Sequence, residues 1–279
     1  MEGVKVKILG VSCAHRKGRN TAWLVQFSLK AIEKFGRRIG DVAQIETEFV
    51  DLANKKIKPC WDCELCYEMA YKAFDKDAPG KLKDVSCAIK DDFLATEFVP
   101  MMAEADGFVF GSPVFTFSYT SKFRTLFERL AAWQRTGWFT NKPAAVVAVG
   151  RGGLGGGQES CLVGMNNCIR ALEMIPISWA HGACASSGPP LGPQPAEDDG
   201  KVIAVKNDRS ARYIALVNAR RVTETALMQK IAKQELDDLY LEEFIQVYHP
   251  PHGTKRWAWS ELDEEDEEQF TGISFGQGS

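Results

Sequence analysis

Eight residues, Pro143-Ala-Ala-Val-Val-Ala-Val-Gly150, carry no charged or polar side chain and run straight into Gly150-Arg-Gly-Gly-Leu-Gly-Gly-Gly-Gln-Glu159. A run this short and this apolar is a strand buried on both faces, which places it in the middle of a parallel sheet. The same order of apolar run, loop and helical spacing recurs along the chain. Val4-Lys-Val-Lys-Ile-Leu-Gly-Val11 alternates and then turns wholly apolar. After the polar loop Ser12-Cys-Ala-His-Arg-Lys-Gly-Arg-Asn-Thr21, a helix is predicted from about Thr21 to Phe35, with Ala22, Val25, Leu29 and Ile32 at helical spacing. Gln44–Leu52 reads as a second strand, Asp92–Ala105 as helical and Gly107-Phe-Val-Phe110 as a third strand. The loop Gly111-Ser-Pro-Val-Phe-Thr116 leads to a helix from about Ser121 to Trp133. The glycine-rich loop leads to a helix carrying Cys161 and Cys168, and Ile175-Pro-Ile-Ser-Trp-Ala180 reads as a fifth strand. Ser186–Gly200 is rich in Pro, Gly and Asp and reads as a surface loop; Asp208 to about Gln234 is a long amphipathic helix. Strands alternating with helices predict an α/β fold, a doubly wound five-stranded parallel sheet with ligands at the carboxyl ends of its strands.

Residues 1–235 form one such unit, with a cysteine-rich segment at 55–92 after the second strand. Residues 236–279 read as a C-terminal extension: Tyr248-His-Pro-Pro-His-Gly253 breaks structure, Trp257-Ala-Trp259 is aromatic and Glu261–Glu268 is an acidic tail. The net charge of −3 gives no reason to expect nucleic acid or an anionic membrane as partner. The start lacks the apolar run of a signal peptide, and nothing approaches the ~18 uninterrupted apolar residues of a membrane span. The expected location is cytoplasmic, where clustered cysteines are metal ligands or redox groups more often than disulfides.

Four of the eight cysteines are clustered: Cys60-Trp-Asp-Cys63-Glu-Leu-Cys66, with Cys87 downstream. Thiolates at two-residue spacing converge on one centre. Three readings stand open on spacing alone: a [4Fe–4S] cluster, a tetrahedral zinc ion, or free, partly buried thiols. Cys13, Cys161, Cys168 and Cys184 have no metal spacing. Cys13 reads either as a redox-sensitive thiol or as a small packed residue, and Cys161 and Cys168 as core. His181, at the end of the fifth strand, reads as a packed or surface histidine; no metal role is expected of His249 or His252.

The loops after three successive strands have the composition of binding loops. Ser12, His15, Arg16, Lys17, Asn20 and Thr21 precede or open a helix. They suit a phosphate cradle of backbone N–H groups, hydroxyls and cations, or a basic surface loop with Thr21 as helix cap. Gly111-Ser-Pro-Val-Phe115 suits a tight loop whose amides face a planar ring, with Phe115, Phe117 and Tyr119 as walls, or an ordinary turn with core aromatics. Gly150–Gly157 permits close backbone approach to a ligand. Three such loops together are stronger evidence than any one.

The chain resembles the NADPH-dependent FMN reductase family of flavodoxin-like proteins, and within it the iron–sulfur flavoproteins. The resemblance is carried by Ile8–Thr21, Pro59–Cys66, Cys87-Ala-Ile-Lys-Asp-Asp92, Ala105–Phe115, Arg124–Arg129 and Gly150–Glu159, and spans roughly residues 4–235. It implies that Ser12, Arg16, Asn20 and Thr21 bind the FMN phosphate and that Ser112, Pro113, Val114 and Phe115 contact the isoalloxazine ring. The loop from Gly152 through Gly153 to Gln158 would flank the ring, and Cys60, Cys63, Cys66 and Cys87 would hold a [4Fe–4S] cluster. The chain departs from the pattern at His15, where the family often has a small or polar residue, and at Arg124, where it has lysine. It also departs at residues 67–86, which separate the third and fourth cysteines where the family keeps them close. That insertion reads as a helix, Tyr67–Phe74, and a turn at Pro79-Gly80.

The function so implied is an FMN-dependent oxidoreductase passing electrons between a two-electron donor such as NAD(P)H and a one-electron partner. That partner is a redox protein or a small-molecule donor or acceptor. Two alternatives stand beside it: a cluster-free NAD(P)H:FMN or quinone reductase, and a non-enzymatic electron carrier within a larger redox complex. The resemblance also implies a homo-oligomer, a dimer or tetramer. No acid–base residue is assigned a catalytic role.

Overall fold

The computed structural model describes residues 3–73, 86–134, 137–152, 156–177, 179, 181–194, 197 and 199–239. The apolar run at 143–150 is β4 (Pro143–Gly150), buried along its whole length. β1 (Val4–Ser12), β2 (Ala43–Asp51) and β3 (Gly107–Pro113) join it in one sheet of order β2-β1-β3-β4-β5, and every ladder is parallel. β5 (Ile175–Pro176) and β6 (Ala183–Ser186) both pair with β4. This is the flavodoxin-like order, as expected.

Alternate side chains along each strand supply two cores, one per face. On one face Leu9, Phe110 and Val146 meet Met102, Phe123, Leu126, Leu162 and Met165. These come from α3 (Val99–Glu104), α4 (Ser121–Gln134) and α5 (Gln158–Ala171). On the other face Ile8, Val109 and Val147 meet Val25 and Leu29 of α1 (Asn20–Arg38) and Ala215, Ala219 and Val222 of α6 (Arg209–Leu239). Burying one such Leu or Phe side chain contributes about 2 kcal/mol. The Asp208 carboxylate starts α6: one oxygen accepts from Ala211 N at 2.9 Å and the other from Ser186 N at 2.9 Å, which ties the helix to the end of β6.

The structure corrects the fifth strand. It stops at Pro176 rather than continuing to Ala180, and its place beside β4 is resumed by β6. Ile177 N still reaches Ala144 O at 2.7 Å. Beyond it the backbone finds other partners: Trp179 N donates to Asn218 Oδ1 at 2.8 Å, and His181 O accepts from Asn166 Nδ2 at 2.8 Å. His181 has φ +64° and Gly182 φ +125°, so His181 lies in the bend between two strand pieces and does not close a strand. A Cβ on Gly182 would stand 2.5 Å from Val146 O and 2.8 Å from Leu162 Cδ2, so only glycine lets the chain rejoin the sheet.

Helices run longer than periodicity indicates. α1 continues past Phe35 to Arg38, where Arg37 and Arg38 suit the negative end of a helix. A π turn, Leu94–Phe98, leads into α3. α6 continues past Gln234 to Leu239 through residues of good helix propensity. In the cysteine segment, α2 (Leu65–Ala73) begins before Tyr67; Phe74, Pro79 and Gly80 lie outside the described residues, as does the extension beyond 239. No helix among the described residues is long and apolar enough to cross a membrane.

Gly182→Ala is expected to lower the unfolding free energy by about 3 kcal/mol, from left-handed backbone strain and overpacking together. Urea denaturation with an unchanged m-value checks it.

Candidate functional site

The carboxyl ends of β1, β3 and β4 lie side by side, with Ser12 opposite Gly111 and Ser112 opposite Ala148. Their three loops therefore open on one edge of the sheet. The first loop is pinned by its neighbours. Cys13 N donates to Gly111 O at 2.8 Å, Thr120 Oγ1 donates to Cys13 O at 2.7 Å, and Gly18 N donates to Asp51 Oδ2 at 2.9 Å. α1 follows at Asn20; its N-cap residue, Arg19, makes no side-chain capping bond, and its first turn holds no acidic residue. The partial positive charge of that terminus is left for another anion, with Arg16 and Lys17 exposed beside it. Ser12 is buried, and its Oγ has no hydrogen-bond partner among the described residues. Thr21 is buried inside the first turn and is not the cap. Asn20 Oδ1 accepts from Val205 N at 3.1 Å, which fixes the side chain through its acceptor and not through its Nδ2 donor.

The second loop is held by Ser112. Its Oγ donates to Pro113 O at 2.9 Å and accepts from Thr120 N at 3.0 Å. Val114 N reaches Val149 O at 2.9 Å. Phe115 and Ser118 then exchange backbone bonds at 2.8 and 3.0 Å around a two-residue turn. Thr116 and Phe117 in that turn have φ +50° and +59°, the signs of a type I′ turn built without glycine or asparagine. Such strain costs about 1 kcal/mol or more per residue and gathers at functional sites. The turn leaves Phe115 and Phe117 exposed. Phe115 stacks on His15, ring centroids 5.5 Å apart and planes 7° off parallel, so the two loops touch through these rings. Tyr119 is not a wall of this site. It packs on Phe123 at 5.0 Å, and its hydroxyl lies 3.6 Å from Cys168 Sγ.

The third loop meets the second at Gly157, whose φ of +86° opens α5 and whose Cβ would lie 2.8 Å from Phe117 Cδ1. Gln158 is buried. Its Nε2 donates to Gly152 O at 2.8 Å and Ala185 O at 3.3 Å, while its Oε1 is buried without a partner among the described residues. Gly152 is exposed, and Gly153 lies outside the described residues. A buried polar atom left unpaired costs about 1–3 kcal/mol. Ser12 Oγ and Gln158 Oε1 thus mark two of the three loops as built for something else to complete.

Cys60, Cys63, Cys66 and Cys87 line one pocket of about 440 Å³, together with Trp61, Tyr67 and Arg129. Cys60 and Cys63 are exposed; Cys66 and Cys87 are half-buried. Asp62 and Glu64, with φ +54° and +57°, turn the backbone twice within the motif. Burial raises the Cys66 thiol above its ordinary range, and the neighbouring charges of Cys87, Cys60 and Cys63 raise it further. Among the described residues no three His, Cys, Asp or Glu side chains are gathered closely enough to hold a single ion.

Both ends of this segment meet a buried ion pair. Asp92 accepts from Lys58 N at 2.8 Å and Ala95 N at 3.1 Å, and pairs with Arg129 at 2.7 Å, both side chains being almost wholly buried. Burial pushes the Asp92 carboxyl up, but the bonds from Arg129 and the two amides outweigh it and hold the carboxyl below the usual range. Neither residue has a role assigned from the sequence. The signal was there: Leu126, Arg129 and Trp133 occupy one buried stripe of α4, and an arginine at a core position asks for a partner. Cys13 and Cys161 are fully buried; burial pushes the first thiol far up and the second up to about 12. Cys13 is therefore a packed residue rather than a reactive thiol.

The model of the NADPH-dependent FMN reductase family matches residues 6–182. An iron–sulfur flavoprotein of Methanocaldococcus jannaschii is 30% identical over 205 residues, covering 74% of this chain and 93% of that one. An iron–sulfur flavoprotein of Methanosarcina thermophila is 27% identical over 173 residues, 62% of this chain and 77% of the other. Among solved structures, an oxidoreductase from Corynebacterium diphtheriae superposes with a TM-score of 0.49 at 14% identity, covering 80% of this chain and 98% of its own.

Because Asp92 is held ionised, its contribution to stability is complete above the unfolded carboxyl value of about 3.9 and is lost as the pH falls through the lower folded value. Asp92→Asn, which leaves Arg129 buried and unpaired, is expected to cost about 3 kcal/mol or more at neutral pH. The gap to the unaltered protein should narrow below about pH 4, as guanidinium denaturation across pH will show.

Proposed function

The chain belongs to the NADPH-dependent FMN reductase family and is a flavin-dependent oxidoreductase; from that premise we propose that it moves electrons between a two-electron donor such as NAD(P)H and a one-electron partner, with FMN and a [4Fe–4S] cluster as its cofactors. The observation that carries this reading is that Cys60, Cys63 and Cys66 share one pocket with the distant Cys87 in a fold of the flavin reductase family. When bound, FMN accepts a hydride and yields single electrons, and the cluster takes one electron at a time.

The residues present fit FMN. The uncapped start of α1, with Ser12 and Arg16, suits a phosphate monoester. Thr21 supports that terminus from inside, and Asn20, whose Oδ1 accepts from Val205 N, is thereby oriented with its Nδ2 left to donate to the phosphate. Ser112 shapes the loop that presents Pro113, Val114 and Phe115 to a planar ring. Gln158 Oε1, buried and without a partner among the described residues, offers an acceptor to a ring-edge N–H, with Gly152 bonded to the same side chain; Gly153 would follow in that loop by sequence. No separate dinucleotide-binding unit accompanies the sheet among the described residues, so NAD(P)H would stack on the flavin itself.

Four thiolates would serve either a cluster or zinc, and the iron–sulfur flavoprotein relatives favour the cluster. Zinc draws four sulfurs to about 2.3 Å from one point. A cube bound at alternate corners holds its thiolates wider apart. The cysteines here line one pocket of about 440 Å³.

Anaerobic stopped-flow with NADPH tests the proposal. Cys66→Ser is expected to leave FMN content and flavin reduction at the rates of the unaltered protein, and to slow reduction of a one-electron acceptor such as cytochrome c about 10-fold or more. Equal acceptor reduction by both proteins would favour a cluster-free reductase.

A further inference from the structure

We propose that Arg129 is the positioning residue for Cys87: it carries the fourth cysteine to the cluster despite the long insertion before it, and it raises the reduction potential of the bound cluster. The inference rests on the cluster reading above.

Arg129 lies on α4, 1% exposed, and every one of its five N–H donors is used. One terminal nitrogen donates to Lys58 O at 2.9 Å and Asp92 Oδ2 at 2.7 Å; the other donates to Ile89 O at 3.1 Å and Asp92 Oδ1 at 3.4 Å. Nε donates to Cys87 Sγ at 3.1 Å. The backbone contacts fall just before Cys60 and just after Cys87. A single side chain therefore closes the two ends of the cysteine segment on each other, and the length of chain between Cys66 and Cys87 does not alter where Cys87 stands.

Stability alone does not call for this arrangement. A buried ion pair is costly to desolvate, and apolar residues of similar volume often serve as well or better. The specific feature is direction. Asp92 takes the far edge of the guanidinium and leaves the Nε–H edge toward the sulfur. The other charged residues of the pocket lining, Asp62, Glu64 and Glu128, are acidic, and Glu128 pairs with Arg124 at 2.7 Å; Lys58 Nζ, nearby, pairs with Asp91 at 2.6 Å. Arg129 is thus the cation in hydrogen-bond contact with a cysteine of the motif. The N–H···S bond is charge-assisted and fixes the direction in which the sulfur points. Hydrogen bonds and positive charge at a ligating sulfur also favour the reduced cluster, which holds one more electron.

Two variants test the role. Arg129→Lys keeps the charge opposite Asp92 but loses the fork; the pair Arg129→Gln with Asp92→Asn removes both charges together. With FMN content and circular dichroism unchanged, both are expected to release cluster iron to a chelator about 10-fold faster or more. The EPR-monitored potential should fall in the double variant and stay nearer the unaltered value in Arg129→Lys. A role in folding alone would not separate the two variants in this way. In the unaltered protein, replacing ¹⁴N-arginine by ¹⁵N-arginine should change the nitrogen modulation in pulsed EPR of the reduced cluster, a readout that needs no variant to fold. FMN-replete variants with unchanged iron release and potential, or a spectrum indifferent to the label, would overturn the role of Arg129 and leave the cluster standing. An unaltered protein that takes up no iron on reconstitution would overturn both.

Discussion

β1, β3 and β4 are buried on both faces, so their backbone groups are satisfied only by pairing with one another in parallel register. That pairing fixes the rest. Strands in register end together, and the loops after Ser12, Pro113 and Gly150 open on one edge, where helix N-termini and backbone amides are concentrated. The loops then brace one another: Thr120 bonds Cys13, Val114 bonds Val149, and Phe117 abuts Gly157. The site is preorganised by the sheet, and what stays unpaired within it among the described residues, Ser12 Oγ and Gln158 Oε1, is what a ligand would satisfy.

The cysteine segment is attached by a different device. It follows β2 at the edge of the sheet, and among the described residues no ladder holds it. A buried arginine and aspartate grip its two ends instead. This separates two demands. The three loops take their rigidity from strand ends, whereas the segment is fixed at its two ends, and closing a longer loop between fixed ends costs little more.

Much of this was legible in the sequence because it depends on local patterns. The wholly apolar 143–150 run could only be an inner strand, and β4 has those bounds. The loops were legible from their glycines, hydroxyls and cations, and three of them in succession set the edge of the site. What escaped was set by contacts distant in sequence. Ile175–Ala180 has strand composition, but Asn218 and Asn166 draw Trp179 and His181 away from β4. Tyr119 reads as a wall of the loop until its packing on Phe123 is known. The pairing of Arg129 with Asp92 joins α4 to the end of an insertion, and no spacing rule reaches that far.

The central claim is that one chain holds both a flavin and an iron–sulfur cluster. The most direct measurement is the content of iron, acid-labile sulfide and FMN after anaerobic purification. The account predicts about four irons and four sulfides beside one FMN per chain. FMN without iron or sulfide, even after attempted cluster reconstitution, would contradict it.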